Sequence, residues 1–151
     1  MKCTTLCYIM RDNEILLLQR NKKKNDANEG KWIGVGGKLQ DHESPKDCLI
    51  REVHEETGFK LINPKLRGIL TFVLPKWEDE LSFVYTADTF EGELQECSEG
   101  TLAWISKQNI LSLPLWEGDK AFLPILLNEE RFFSMKLIYD ENDCLVDVIE
   151  E

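Results

Sequence analysis

The stretch from Gly37 to Phe59, GKLQDHESPKDCLIREVHEETGF, restricts what this chain can fold into more than any other. It reads as a glycine-led loop followed by a helix. Ser44 is placed to cap that helix, with Pro45 at the first helical position and Asp47 completing a capping box. Gly58 supplies the left-handed residue that ends it, so the helix is predicted over Pro45 to Thr57. At about 100° per residue, Leu49, Ile50 and Val53 form one apolar stripe that must face a core. Glu52 and Glu56 border the stripe and stack on one side, while Glu55 projects more outward. Like charges at this spacing cost a bare helix about 0.2–0.5 kcal/mol per pair, so the helix needs a cation. Arg51 supplies part of it, through Glu55 one turn on or through Glu43, which precedes the cap.

An acidic helix face is in most chains simply a solvated one. Here the spacing narrows the reading, because Gly37, Glu43, Arg51, Glu52, Val53, Glu55, Glu56, Gly58 and Phe59 fit G-x5-E-x7-R-E-U-x-E-E-x-G-U, with U a bulky apolar residue. A chance match in a chain of this size is on the order of one in ten million at average residue usage. On these residues the chain resembles the Nudix hydrolases.

The whole chain has 151 residues and 42% hydrophobic content, which suits one domain over residues 1–151 with a sizeable core. Lys and Arg number 18 against 28 Asp and Glu, a formal net charge of −10, which argues against a nonspecific grip on duplex nucleic acid or on an anionic membrane. An acidic protein that handles phosphates needs bridging metal ions. Cys3, Cys7, Cys48, Cys97 and Cys144 are odd in number and lack zinc-type or CxxC spacing, so they read as reduced thiols. There is no signal-like apolar run and no stretch near the roughly 20 apolar residues of a membrane span. The expectation is a cytoplasmic protein, monomer or homodimer.

Thr4–Met10 and Ile15–Gln19 are β-prone runs around a hairpin-like turn, and Lys65–Leu74 and Leu81–Phe90 are strand-like about a polar linker. Thr101–Ile105 is a further strand, Lys107–Leu111 a short helical segment, and Trp116–Asp119 opens an apolar helix through Leu127 with Pro124 as a kink point. Phe132–Tyr139 and Cys144–Ile149 complete the set as strands. Between them lies the one concentrated basic run, Arg20 to Asp26, which reads either as a solvated loop or as Arg20 with one or more of Lys22, Lys23 and Lys24 beside a polyphosphate. In IGVGGK, Ile33 to Lys38, the glycines allow close backbone approach. Strands alternating with two main helices point to the α/β class, an α/β/α sandwich around a mixed sheet, which is also the Nudix fold.

Within that family the chain looks most like the MutT and MutX type of purine nucleoside triphosphate diphosphatase, the enzymes that remove 8-oxo-dGTP. The resemblance implies Mg²⁺, with Mn²⁺ as a substitute, held by Glu52, Glu56, Glu55, Glu99 and the Gly36 carbonyl. It implies attack of water on a nucleoside triphosphate to give monophosphate and pyrophosphate. Glu52 is the first choice of general base, with Glu55, Glu56 and Glu99 similarly placed, and Arg51 and Glu43 orient the glutamates. Lys38, Arg20 and Lys23 fall to the phosphates. Trp116 would stack on a purine, Asp119 would hydrogen-bond its edge and Phe72 would wall the pocket, although Phe72 also reads as core and Asp119 as a helix cap. His42 and His54 read as surface. The chain departs from relatives at Val35, where many carry proline, at Ile33, where some carry a base-reading asparagine, and at Gly118, where some carry a second aspartate. Pro75, sixteen residues beyond Phe59, resembles a feature of some ADP-ribose hydrolases, so ADP-ribose or a dinucleoside polyphosphate is an alternative substrate. A nucleotide-sensing module without turnover is a further alternative, and the full glutamate set argues against it.

Overall fold

The computed structural model describes residues 1–22 and 24–151. Its strands are β1 (Lys2–Arg11), β2 (Glu14–Gln19), β3 (Trp32–Ile33), β4 (Lys60–Leu61), β5 (Lys65–Val73), β6 (Glu80–Ala87), β7 (Phe90–Glu91), β8 (Thr101–Ser106), β9 (Phe133–Tyr139) and β10 (Leu145–Glu150). Its helices are α1 (Pro45–Thr57) and α2 (Asp119–Asn128), with one turn of 3₁₀ helix at Ile110–Ser112.

Strand periodicity explains the layering. Neighbouring residues of a strand face opposite sides. In β1, Cys7 and Ile9 enter one core with Leu16 of β2 and with Leu49 and Val53 of α1. Tyr8 enters the other, with Ile15 and Leu17 of β2 and with Phe122, Leu123 and Leu126 of α2. Each helix thus covers one face. The order β10-β9-β5-β6-β1-β2-β3, with β8 also on β2, mixes antiparallel pairs with parallel β1·β6 and β5·β9. This is the α/β/α sandwich expected from the sequence. Arg67, buried in β5, donates to the carbonyls of Leu126 (2.9 Å) and Glu129 (2.6 Å) and so ties the end of α2 to the sheet.

The predicted strand through Phe90 ends at Ala87 instead. Asp88 and Thr89 turn the chain, and Phe90 joins β4 in a separate two-stranded sheet, where its ring packs 4.5 Å from that of Phe59. The helical segment expected at Lys107–Leu111 is the single turn at Ile110–Ser112, held by the burial of Ile110.

One feature of β1 positions the site. β2 pairs only with Ile9 to Arg11, which leaves the other half of that edge free. The glycine loop fills it: Thr5 N–H donates to the Gly37 carbonyl (2.8 Å), Cys7 N–H to the Val35 carbonyl (2.6 Å) and Leu39 N–H to the Cys3 carbonyl (3.0 Å). A Cβ on Gly36 would stand 2.0 Å from the Thr5 carbonyl oxygen, so only glycine permits this approach. Among the described residues, no helix is long and apolar enough to cross a membrane.

Candidate active site

The ends of α1 are built as their residues require. Ser44 Oγ accepts from Asp47 N–H and Asp47 Oδ2 from Ser44 N–H, both at 3.1 Å, and Gly58 takes φ 83°. From this helix Arg51 reaches back across the loop. Its Nε and Nη2 donate to the two oxygens of Glu43 (2.7 and 2.8 Å), Nη1 to Glu52 Oε1 (2.7 Å) and Nη2 to the Lys38 carbonyl (3.3 Å). This fork holds the Glu43 carboxyl down to about 2, helped by the Gln40 N–H. Glu43 and Arg51 therefore lock the loop to the helix, and Arg51 holds Glu52.

Glu52, Glu56 and Glu99 line a common cavity of about 420 Å³. A Cβ on Gly37 would lie 2.4 Å from Glu52 Cδ, so the missing side chain is the space the carboxylate uses. Glu56 is 8% exposed, and among the described residues its Oε2 has no hydrogen-bond partner. Burial, then Glu99, then Glu52 push it up to about 9. Glu99 arrives from the start of β8, where Gly100 packs so tightly on β2 that a Cβ would meet the Gln19 carbonyl oxygen at 1.9 Å. Val35 and Gly37 turn their carbonyls to β1, and Gly36 between them lines the cavity. Among the described residues no three acidic, histidine or cysteine side chains close around one point, because Arg51 holds Glu52 and Arg20 holds Glu99 (3.1 Å). The set is open, but an orphaned carboxylate oxygen crowded by two others fits a hard divalent cation with oxygen ligands.

Other predicted residues fall as follows. Arg20 lines the cavity while paired to Asp26 (3.2 Å) as well as Glu99. Lys38 stands exposed at its mouth, and Lys23 lies outside the described residues. Glu55 is exposed on the outward side of α1, within 3.5 Å of Arg51 and away from the cavity lining. His42 and His54 are exposed.

The same cavity is also lined by Phe72, Trp116 and Asp119. Trp116 donates from Nε1 to Asn28 Oδ1 (2.7 Å), carries Lys31 Nζ 4.5 Å from its ring centroid, and meets Tyr139 edge-on. Asp119 begins α2 without a side-chain capping bond; the N-cap is Gly118. Burial pushes Asp119 up to about 8, against the pull of Lys31, so it is protonated at neutral pH and can donate as well as accept. Gly118 is enforced: its N–H donates to Tyr139 Oη (2.8 Å), and a Cβ would stand 2.6 Å from that oxygen. A second aspartate has no room there. Asn28 and Tyr139 were not singled out from the sequence; each lies far along the chain from the residue it holds, and neither sits in a motif.

Comparison with known proteins bears on the family and the fold. The NUDIX domain profile matches residues 2–126. The chain is 35% identical to the uncharacterized Nudix hydrolase YvcI of Bacillus subtilis, over 82% of this chain and 77% of that protein. It is 31% identical to the oxidized purine nucleoside triphosphate hydrolase of Danio rerio, over 88% and 84%. The crystal structure of a MutT protein from Bacillus halodurans superimposes with a TM-score of 0.90 at 29% identity, covering 100% of this chain and 98% of that one.

Proposed function

The chain belongs to the Nudix family and is a hydrolase of nucleotide phosphoanhydrides, and from that premise we propose that it cleaves an oxidised purine nucleoside triphosphate such as 8-oxo-dGTP. The products are nucleoside monophosphate and pyrophosphate, and the role is removal of damaged purines from the nucleotide pool before they enter DNA. One observation carries the reading: three carboxylates, Glu52, Glu56 and Glu99, and a tryptophan–aspartate pair line one and the same cavity. Its volume, about 420 Å³, suits a small polar ligand. The name of the Danio rerio relative supports the same substrate class.

Nudix hydrolases generally use divalent metal ions. Glu52, Glu56, Glu99 and the Gly36 carbonyl are the donors for Mg²⁺, with Mn²⁺ as a substitute; the ion supplies charge neutralisation at the polyphosphate. Glu52 takes the proton of the attacking water, held for that task by Arg51. Arg51 itself is fixed by Glu43. Lys38 and Arg20 meet phosphate oxygens in the cavity. Glu55, on the exposed side of α1, serves the cluster only through Arg51 in this arrangement. Trp116 offers a ring to the base, protonated Asp119 offers its edge a donor, and Phe72 closes the wall.

The test compares kcat/KM for 8-oxo-dGTP, dGTP, dATP and ADP-ribose with Mg²⁺, following monophosphate and pyrophosphate separately. Preference for 8-oxo-dGTP with pyrophosphate release is expected, and Glu52→Gln should lower kcat by about 10²-fold or more with the fold intact. Preference for ADP-ribose would sink the substrate assignment.

A further inference from the structure

Trp77 lies in the loop between β5 and β6 and lines the cavity together with Phe72 and Leu74. It is 36% exposed, so burial alone does not anchor it. It is held by its polar edge instead. Nε1 donates to the carboxylate of Asp143, 3.1 and 3.2 Å from its two oxygens, and Lys76 Nζ lies 3.8 Å from the same carboxylate and 5.2 Å from the indole centroid. Both ends of the contact are braced. Asp143 sits at φ 59° in the turn between β9 and β10, where Asp140 Oδ1 accepts from the N–H groups of Asn142 (2.8 Å) and Cys144 (3.0 Å). The Trp77 loop is closed by its own N–H to the Leu74 carbonyl (3.0 Å) and by Leu74 N–H to Asp79 Oδ1 (2.9 Å).

An indole whose N–H is satisfied from outside, with a cation near its ring, has its remaining apolar surface free for the cavity it borders. We infer that Trp77 is a specificity-determining wall for the base-bearing end of the substrate, and that Asp143, beyond the stretch matched to the family domain, is its positioning residue. This rests on the reading of the cavity as a nucleotide site. Aromatic surface rewards a flat heterocycle and gives nothing to a bare polyphosphate. The ring therefore adds affinity for the nucleoside part alone.

The experiment measures Kd calorimetrically for two probes, 8-oxo-dGMP and inorganic triphosphate, on wild type, Trp77→Ala, Trp77→Phe and Asp143→Gly; glycine is chosen because the position has positive φ. Trp77→Ala should weaken 8-oxo-dGMP by about fivefold or more, and triphosphate by much less. Asp143→Gly should shift the same probe in the same direction, and Trp77→Phe should keep more affinity than the alanine variant. Equal losses on both probes, or no loss in variants that melt like wild type, overturn the inference. If Trp77→Ala fails to fold, Trp77→Phe and Asp143→Gly carry the comparison by the same criteria. Wild type that binds 8-oxo-dGMP but cleaves no triphosphate defeats the reaction proposed above and leaves Trp77 to be judged on these constants. Wild type that binds no nucleotide overturns both.

Discussion

Asp119 is buried without a capping bond, and that has a cost that depends on pH. Its folded-state value is raised from 3.8 to about 8. Between those values the folded chain holds a proton that the unfolded chain has released, so stability falls as pH rises through the window and the full penalty applies above it. Asp119→Asn removes this group. In metal-free urea denaturation the variant should gain roughly 3 kcal/mol on wild type between pH 6 and pH 9. Glu56, also raised, remains in both proteins, so the difference isolates Asp119. Parallel pH profiles for the two proteins would show that the Asp119 carboxyl is solvated after all.

At the scale of elements, two glycines separate placement of a side chain from placement of a strand. A Cβ on Gly37 meets the flexible end of Glu52, whereas a Cβ on Gly100 meets the Gln19 backbone at 1.9 Å. Gly37→Ala should therefore displace the carboxylate, lowering kcat by about 10²-fold while the melting temperature changes little. Gly100→Ala must spread β2 from β8 and should cost about 1–3 kcal/mol of stability along with activity, because Glu99 moves with the strand. Calorimetry and kinetics on the pair check this, and a thermally crippled Gly37→Ala or a wild-type-like Gly100→Ala would contradict it. The same contrast governs what could be read from the sequence. α1 was legible to the residue, because Ser44, Pro45, Asp47 and Gly58 act on their own neighbours. β3, β4 and β7 were not, since two residues carry no periodicity. Glu52, Glu56 and Glu99 could be named from spacing and resemblance, and they do line one cavity. The Asn28 bond to Trp116 spans 88 positions and the Asp143 bond to Trp77 spans 66, and no local pattern encodes either.

For the molecule as a whole, the relevant quantity is a net charge of −10 combined with a carboxylate cluster sunk in a cavity. General repulsion is relieved by any salt, because mobile ions screen exposed charges. A buried Glu56 crowded by Glu52 and Glu99 is relieved by a proton or by a cation that enters, and not by ions that stay in the solvent. The two differ in experiment. Mg²⁺ at about 100 times its Kd should stabilise by about 2.7 kcal/mol, a rise in Tm of roughly 5–10 °C for a chain this long, and NaCl at matched ionic strength should give much less. Glu56→Gln should melt higher than wild type at neutral pH without metal, since it removes a buried carboxyl that the fold must keep protonated while the unfolded chain releases the proton, yet lose most of the Mg²⁺ response. Equal shifts in Mg²⁺ and NaCl would mean that the acidic charge acts only as a diffuse field. An undiminished Mg²⁺ response in Glu56→Gln would move the cation away from the Glu56 carboxylate.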